Sequence, residues 1–257
     1  MPVAGAARAD DAQHHGDRTF RILELGGRKV RWTMPVGGLP AKITYAFLTE
    51  PAQFPGARNC DAMLPPEAAL KDSQINSADF RREVRAAFSA WEGAANIVFE
   101  ETSSVAEAGI LIGADAKARG RAFTNVALRN ENDTGRGPGA IGKSLICLNP
   151  KQPWKIGFDG DLNVYDVRFT VTHEIGHAIG LDHPSPEGQL MSFRYVEKAR
   201  GLQPGDIEGV VALYGRKGAG SAPDLDGAPQ HAAASPVPAP AKDGAFGLGD
   251  EPSATPR

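Results

Sequence analysis

Between Thr172 and Pro184 the chain reads THEIGHAIGLDHP, and three of its six histidines fall there, at His173, His177 and His183. On a helix, His173 and His177 are separated by about 40° of azimuth and about 6 Å of rise, so both imidazoles leave one face. Two imidazoles make an incomplete catalytic metal centre, because zinc in such a site takes three protein ligands and keeps one position open. Gly180 supplies the way out. Glycine accepts the left-handed conformation that ends a helix, which lets the chain turn back and bring His183 to the same ion. Glu174 is offset from His173 by about 100°, beside the ligand set rather than in it. The chemistry implied is hydrolysis: zinc lowers the pKa of its water to about 7 and polarises a carbonyl. Glu174, as general base, takes the water's proton and passes it to a leaving amine. The rival readings are three histidines on an ordinary helix and a closed structural metal site. Glu174 argues against the second of these, and against a catalytically dead version of the site, because a closed structural site needs no base.

These residues need a helix and a scaffold. From residue 165 to 179 there is no proline, and Val171, Ile175, Ala178 and Ile179 make an apolar stripe at helical spacing. Upstream, residues 42–47 alternate as a strand does. Ser77 is placed to cap a helix whose stripe is Phe80, Val84, Ala87, Phe88 and Trp91. Strands are expected at 96–100, 108–112, 121–128 and 143–148, the second apolar throughout and so central, the last two separated by a Gly-rich loop. A closing helix follows, with Pro204 in its first turn, a stripe of Ile207, Val210, Val211 and Tyr214, and Gly215 as its C-terminal cap. The order implies an α+β fold, a mixed sheet with helices packed on it.

At 257 residues, 41% hydrophobic and 23% charged, the chain has the size of one folded domain with tails. Residues 1–28 read as a loose N-terminal arm, 29–215 as the domain, and 216–257, rich in Ala, Pro and Gly, as a disordered tail. A net charge of −3 gives no general attraction to nucleic acid or anionic membrane, and no apolar run is long enough to span a bilayer. The opening MPVAGAARADDAQHH has neither a basic n-region nor an apolar h-region, so no secretion signal is read in it. Cys60 and Cys147 are compatible with one disulfide or with two buried thiols.

The stretch from His173 to His183 resembles the zinc signature of the metzincin metalloproteases, in the matrixin and serralysin branch. Met191, in Gln189-Leu190-Met191-Ser192, is similar to the methionine turn of that clan, a hydrophobic floor under the imidazoles. Residues 202–215 look like the closing helix of matrixins and serralysins. The resemblance covers about residues 29–215. It implies a metzincin-like catalytic domain: a mixed, mainly parallel five-stranded sheet with an antiparallel edge strand, packed by three helices that include the zinc helix and the C-terminal helix. It implies one catalytic Zn²⁺ on His173, His177 and His183, with Glu174 as catalytic base. The strand at 121–128 becomes the cleft edge that pairs with an extended protein or peptide substrate. Secretion or export to the periplasm follows from family habit, and the partner expected is substrate alone, with no nucleic acid or membrane and a monomeric chain.

Departures from the family pattern matter as much. Serralysins place a tyrosine two residues after the turn methionine, where this chain has Phe193, while Tyr195 resembles the matrixin tyrosine that lines the specificity pocket. No histidine lies between His15 and His173, so the second, structural zinc of matrixins lacks its ligands. Cys60 follows the first strand, which argues against a cysteine-switch role and favours a bridge to Cys147. Asp159, Asp161 and Asn163 echo the start of a calcium loop without its glycine and terminal glutamate; a solvated turn is the reading preferred, with structural Ca²⁺ an implication of the family. His14, His15 and His231 are incidental. The function expected is zinc endopeptidase; the alternatives are a catalytically silent peptide-binding module of the same fold and an amidase acting on cell-wall peptides.

Overall fold

A computed structural model describes residues 19–117, 120–130, 137–184, 187–218 and Leu225. Five main strands form the body of the sheet: β1 (Ala41–Phe47), β2 (Ile97–Glu101), β3 (Ile110–Asp115), β4 (Ala122–Leu128) and β5 (Gly139–Leu148). Their order is β2-β1-β3-β5-β4, with β1 parallel to β2 and β3, β3 parallel to β5, and β4 antiparallel to β5. This is the mixed, mainly parallel sheet with an antiparallel edge expected above. Short segments extend it, Arg28–Arg31 beside the start of β5 and Ala62–Leu64 beside the end of β3.

Three long helices are present: α1 (Ser77–Ala94), α2 (Val167–Ala178) and α3 (Pro204–Tyr214). Strand alternation sorts the core. Ile43, Tyr45 and Phe47 of β1, Ile110 and Ile112 of β3, and Ile146 and Leu148 of β5 face the helices, where the α1 stripe from Phe80 to Trp91 meets Val171 and Ile175 of α2. The intervening residues, Ala46, Leu111, Leu145 and Cys147, face the other way onto Cys60, Met63 and Phe123. On that second face Cys60 and Cys147 are disulfide-bonded, with a Cα separation of 5.8 Å.

Several boundaries differ from the sequence reading. The N-cap of α1 is Asn76, whose side chain accepts from Asp79 N, so Ser77 is the first helical residue. α2 begins at Val167, because Tyr165–Asp166 pairs with Trp154–Lys155 and Asp166 caps the helix. On α3 the buried face is Asp206, Gly209, Val210, Leu213 and Tyr214, while Ile207 is 38% exposed. The stripe expected there was rotated, because Gly209 and Asp206 do not register as apolar.

Residues 19–28 are not a loose arm. Arg21–Ile22 pairs with Leu181–Asp182, and Phe20 and Ile22 are buried in the core. Leu225, within the expected tail, is buried too, and its carbonyl accepts from Lys29 Nζ at 2.6 Å. Residues 1–18, 219–224 and 226–257, with His14, His15 and His231, lie outside the described residues, as does most of the Gly-rich loop before β5.

Candidate metal centre

His173 and His177 sit one turn apart on α2, as their spacing requires. The chain then stops being helical at Gly180, whose φ is +105° and whose missing Cβ would lie 2.4 Å from the Val30 carbonyl oxygen. Both the backbone conformation and the close approach need glycine there. From Gly180 the chain runs into Leu181–Asp182, braced by Arg21–Ile22 and by a 2.8 Å bond from Leu23 N to Gly180 O. Asp182 Oδ1 accepts from His183 N at 2.8 Å, and Arg21 Nε lies 3.0 Å from Oδ2.

This path brings the three imidazoles together. His173 Nε2 is 3.0 Å from His183 Nε2, and His177 Nε2 is 3.2 Å from each of the others. Behind them, His173 Nδ1 donates to Leu190 O and His177 Nδ1 to Leu181 O, both at 2.8 Å. A carbonyl oxygen only accepts, so in both rings the proton sits on Nδ1 and Nε2 presents its lone pair. Burial holds all three rings below the usual imidazole range. For His173 the value falls to about 3, through desolvation first and the neighbouring His177 second. His177 and His183 are lowered by burial as well.

Three neutral nitrogens facing one point are a donor set for a metal ion. Nitrogens at about 2.0–2.1 Å from one tetrahedral zinc ion stand about 3.4 Å apart. The observed triangle matches that edge closely enough for one ion to fit with little ring movement.

Glu174 is 2% exposed, and burial raises its carboxyl to about 7 against the opposing pull of a hydrogen bond from Thr124. Thr124 Oγ1 donates to Glu174 Oε2 at 2.7 Å and lies 3.0 Å from Glu174 O. Thr124 belongs to β4, whose ladder contacts are with β5 alone among the described residues. Arg121 O accepts from Asn149 N, and alternation in the ladder then turns the backbone groups of Ala122, Thr124 and Val126 toward the open edge.

Met191 is buried and packs against α2 at Gly176, where a Cβ would lie 2.2 Å from Met191 Sδ and 3.0 Å from Trp91 Cζ2. Gly176 therefore admits the methionine beneath the helix. Asp206 carries the turn: its carboxylate accepts from Leu190 N at 2.8 Å, Met191 N at 2.9 Å and Gln203 N at 2.7 Å. Because the Leu190 carbonyl in turn holds His173, Asp206 fixes a metal-facing ring through one peptide group. The last carbonyls at the end of α2 also have partners. Ala178 O accepts from Trp32 Nε1 and Ser144 Oγ, and Ile179 O from Tyr214 OH.

Sequence reasoning missed Thr124, Asp206 and Trp32. Asp206 alone left a trace, as the third residue of a helix opened after Gln203, where a carboxylate reaches back to the cap. Tyr195 departs from expectation. It is 2% exposed, enclosed by Phe158, Tyr165 and Phe169, and its hydroxyl donates to Glu197 and accepts from Asp166 N. The exposed aromatic at the centre is Phe193, edge-on to His183 at 5.3 Å.

The matrixin family model matches residues 68–215, more than half of the chain, and that span holds the histidine trio, Glu174, Met191 and α3. The chain belongs to the matrixin family. This matrixin is 28% identical over 195 residues to Metalloendoproteinase 4-MMP of Arabidopsis thaliana, covering 72% of this chain and 48% of the relative. It is 32% identical over 156 residues to Metalloendoproteinase 1-MMP of the same plant, covering 55% and 39%. Against neutrophil collagenase of Homo sapiens the identity is 27% over 157 residues, covering 55% and 30%. The chain thus spans less than half the length of these relatives. The family implies zinc, and the donor set of this matrixin fits it.

Proposed function

We propose that this matrixin is a zinc-dependent endopeptidase that holds its ion through His173, His177 and His183 and uses Glu174 as general base. The observation that carries the reading is the convergence of three neutral Nε2 atoms within 3.2 Å of one another, their Nδ1 sides anchored in two rings, next to a buried carboxylate on the same helix. When bound, the ion supplies Lewis acidity toward water and a peptide carbonyl.

The remaining work falls to the chain. The open edge of β4 offers the Ala122, Thr124 and Val126 backbone groups to an extended peptide, which fixes the scissile bond by strand addition. Glu174, in its carboxylate form, takes a proton at its carboxylate oxygen from the attacking water and returns it to the departing amine nitrogen. Thr124 holds that carboxylate in one rotamer and favours its charged form. Phe193 gives the rim an apolar surface beside His183. The Cys60–Cys147 bridge supports an oxidising compartment, hence export. No described helix is long and apolar enough to cross a membrane.

The test is Glu174→Gln beside the parent protein, on casein and on peptidoglycan, with zinc content measured in both. Casein cleavage by the parent that falls at least about a thousandfold in the variant, at unchanged zinc content, supports the reading. A parent that carries zinc and cleaves neither substrate is a binding module; one that cleaves peptidoglycan alone is an amidase.

A further inference from the structure

The turn leading into α2 carries Asp159, Asp161 and Asn163 at the alternate spacing with which oxygen ligands begin a calcium loop. Family membership implies a structural calcium ion, but the residues present do not fit one at this turn, because its oxygens already surround a cation. Lys155 Nζ bonds Asp159 Oδ1, Asp161 O at 2.7 Å and Glu197 Oε1 at 2.6 Å. An ammonium has three donors, and all three are used. The Lys155 side chain is 11% exposed and that of Glu197 is 5% exposed, so this pair is shielded, while Asp159, 63% exposed, closes the solvent side.

The rest of the cluster is built around the same carboxylate. Glu197 Oε2 accepts from Asp159 N at 3.0 Å and Gly160 N at 2.6 Å, and Oε1 accepts from Tyr195 OH at 2.7 Å. Tyr195 OH in turn accepts from Asp166 N, the cap of α2. The ammonium therefore joins the turn before the histidine helix to the segment that follows Met191. Burial alone would lower the Lys155 ammonium, yet the bonds to Asp159 and Glu197 outweigh it and raise it.

We propose that the Lys155 ammonium is the resident cation of this turn and stands in for a calcium ion, so the brace between residues 155–161 and 195–197 needs no metal. The chemistry also runs the other way. Taking the ammonium away while keeping Asp159, the Asp161 carbonyl and Glu197 leaves an oxygen cage of net charge −2, which a calcium ion satisfies and a magnesium ion, with its small octahedral shell, does not.

The experiment uses the full zinc-loaded chain in calcium-free buffer, with the melting temperature followed as calcium chloride or magnesium chloride is added to millimolar levels. Lys155→Ala is expected to lose roughly 5 °C and to regain most of it with calcium but not with magnesium. In Lys155→Ala/Asp159→Asn the calcium response disappears. The parent and Asp159→Asn respond to calcium equally. The proposal is overturned if calcium stabilises the parent and Asp159→Asn abolishes that response, since the turn then binds calcium with lysine present. It is equally overturned if Lys155→Ala is destabilised and indifferent to calcium. Should Lys155→Ala not fold without calcium, recovery of folded protein by refolding in calcium supports the proposal, and failure in both buffers counts against it.

Discussion

Thr124 Oγ1 stands 2.7 Å from Glu174 Oε2, joining the open edge strand to the buried carboxylate of the histidine helix. The hydroxyl donates, so it favours the charged form, while burial favours the neutral one and prevails, leaving the carboxyl near 7. A general base must be deprotonated, so activity should rise with pH through a limb at or below that value, the bound cation drawing it downward. Thr124→Val removes a hydrogen bond to a charged group, worth about 1.5–3 kcal/mol. The acid limb of kcat/KM is then expected to move up by about one to two pH units. A limb that stays in place would show that Thr124 does not set the ionisation of Glu174.

Asp206 offers its carboxylate to the buried N–H groups of Leu190 and Met191 and to the half-buried one of Gln203 and, through Leu190, holds His173. Asp206→Ala strands those donors, at a cost of about 3 kcal/mol. Because the Leu190 carbonyl orients a metal-facing ring, zinc affinity should also fall about ten- to a hundredfold. Chelator competition measures it. Lost stability with unchanged affinity would leave Asp206 a strut for the turn and nothing more.

Gly176 and Met191 occupy one another's space, since a Cβ at residue 176 would lie 2.2 Å from the sulfur. Gly176→Ala should destabilise by about 1–3 kcal/mol through overpacking. Met191→Ala leaves a cavity and should cost about 2–5 kcal/mol. The double variant should cost less than the sum, because each change relieves the other, and urea unfolding of the four proteins gives the coupling. Simple additivity would mean that the two residues do not compete for that volume.

Cys60 and Cys147 are 87 residues apart in sequence, and the bridge restricts the unfolded chain accordingly. Replacing both by serine should cost about 4 kcal/mol, which in a domain of this size is roughly 10 °C in melting temperature. Zinc content should not change, since the bridge lies on the sheet face away from the helices. A melting temperature insensitive to reductant would argue against the bond.

Removal of zinc exposes a pH dependence whose sign follows from the ring environments. His173, His177 and His183 are all depressed in the folded state, so their contribution is present above the unfolded value of about 6.5 and is lost as pH falls toward the folded values. Glu174 opposes this: its raised carboxyl stabilises below the unfolded carboxylate range and loses that contribution as pH rises toward 7. Three groups outweigh one, so the metal-free protein should lose stability between pH 7 and 5, as read from urea midpoints. A flat profile would mean that the rings open to solvent without the ion.

Local periodicity accounts for what was legible in the chain alone. A spacing of four residues puts His173 and His177 on one helix face whatever surrounds them, and Gly180 permits the reversal that His183 requires. Alternation located β1, a continuous apolar run located the central β3, and the three- and four-residue spacing located the α1 stripe. Where a pattern is diluted by glycine and an inward-facing carboxylate, as on α3, the expected stripe has Val210 and Tyr214 right but includes the exposed Ile207 and omits the buried Leu213.

Tertiary structure alone decided the partners that tune the centre. Thr124 lies 50 residues before Glu174, Trp32 reaches Ala178 across 146, and Phe20 and Ile22 join the core from a stretch whose composition reads as an arm. Whether Cys60 and Cys147 meet as a bond, and the seating of the Lys155 ammonium among carboxylates, belong to the same class. Helix and strand spacing are properties of a few consecutive residues and are written in them. A hydroxyl aimed at a distant carboxylate, or a lysine filling a cation's place, exists only once the sheet and helices have brought far parts of the chain within hydrogen-bond reach.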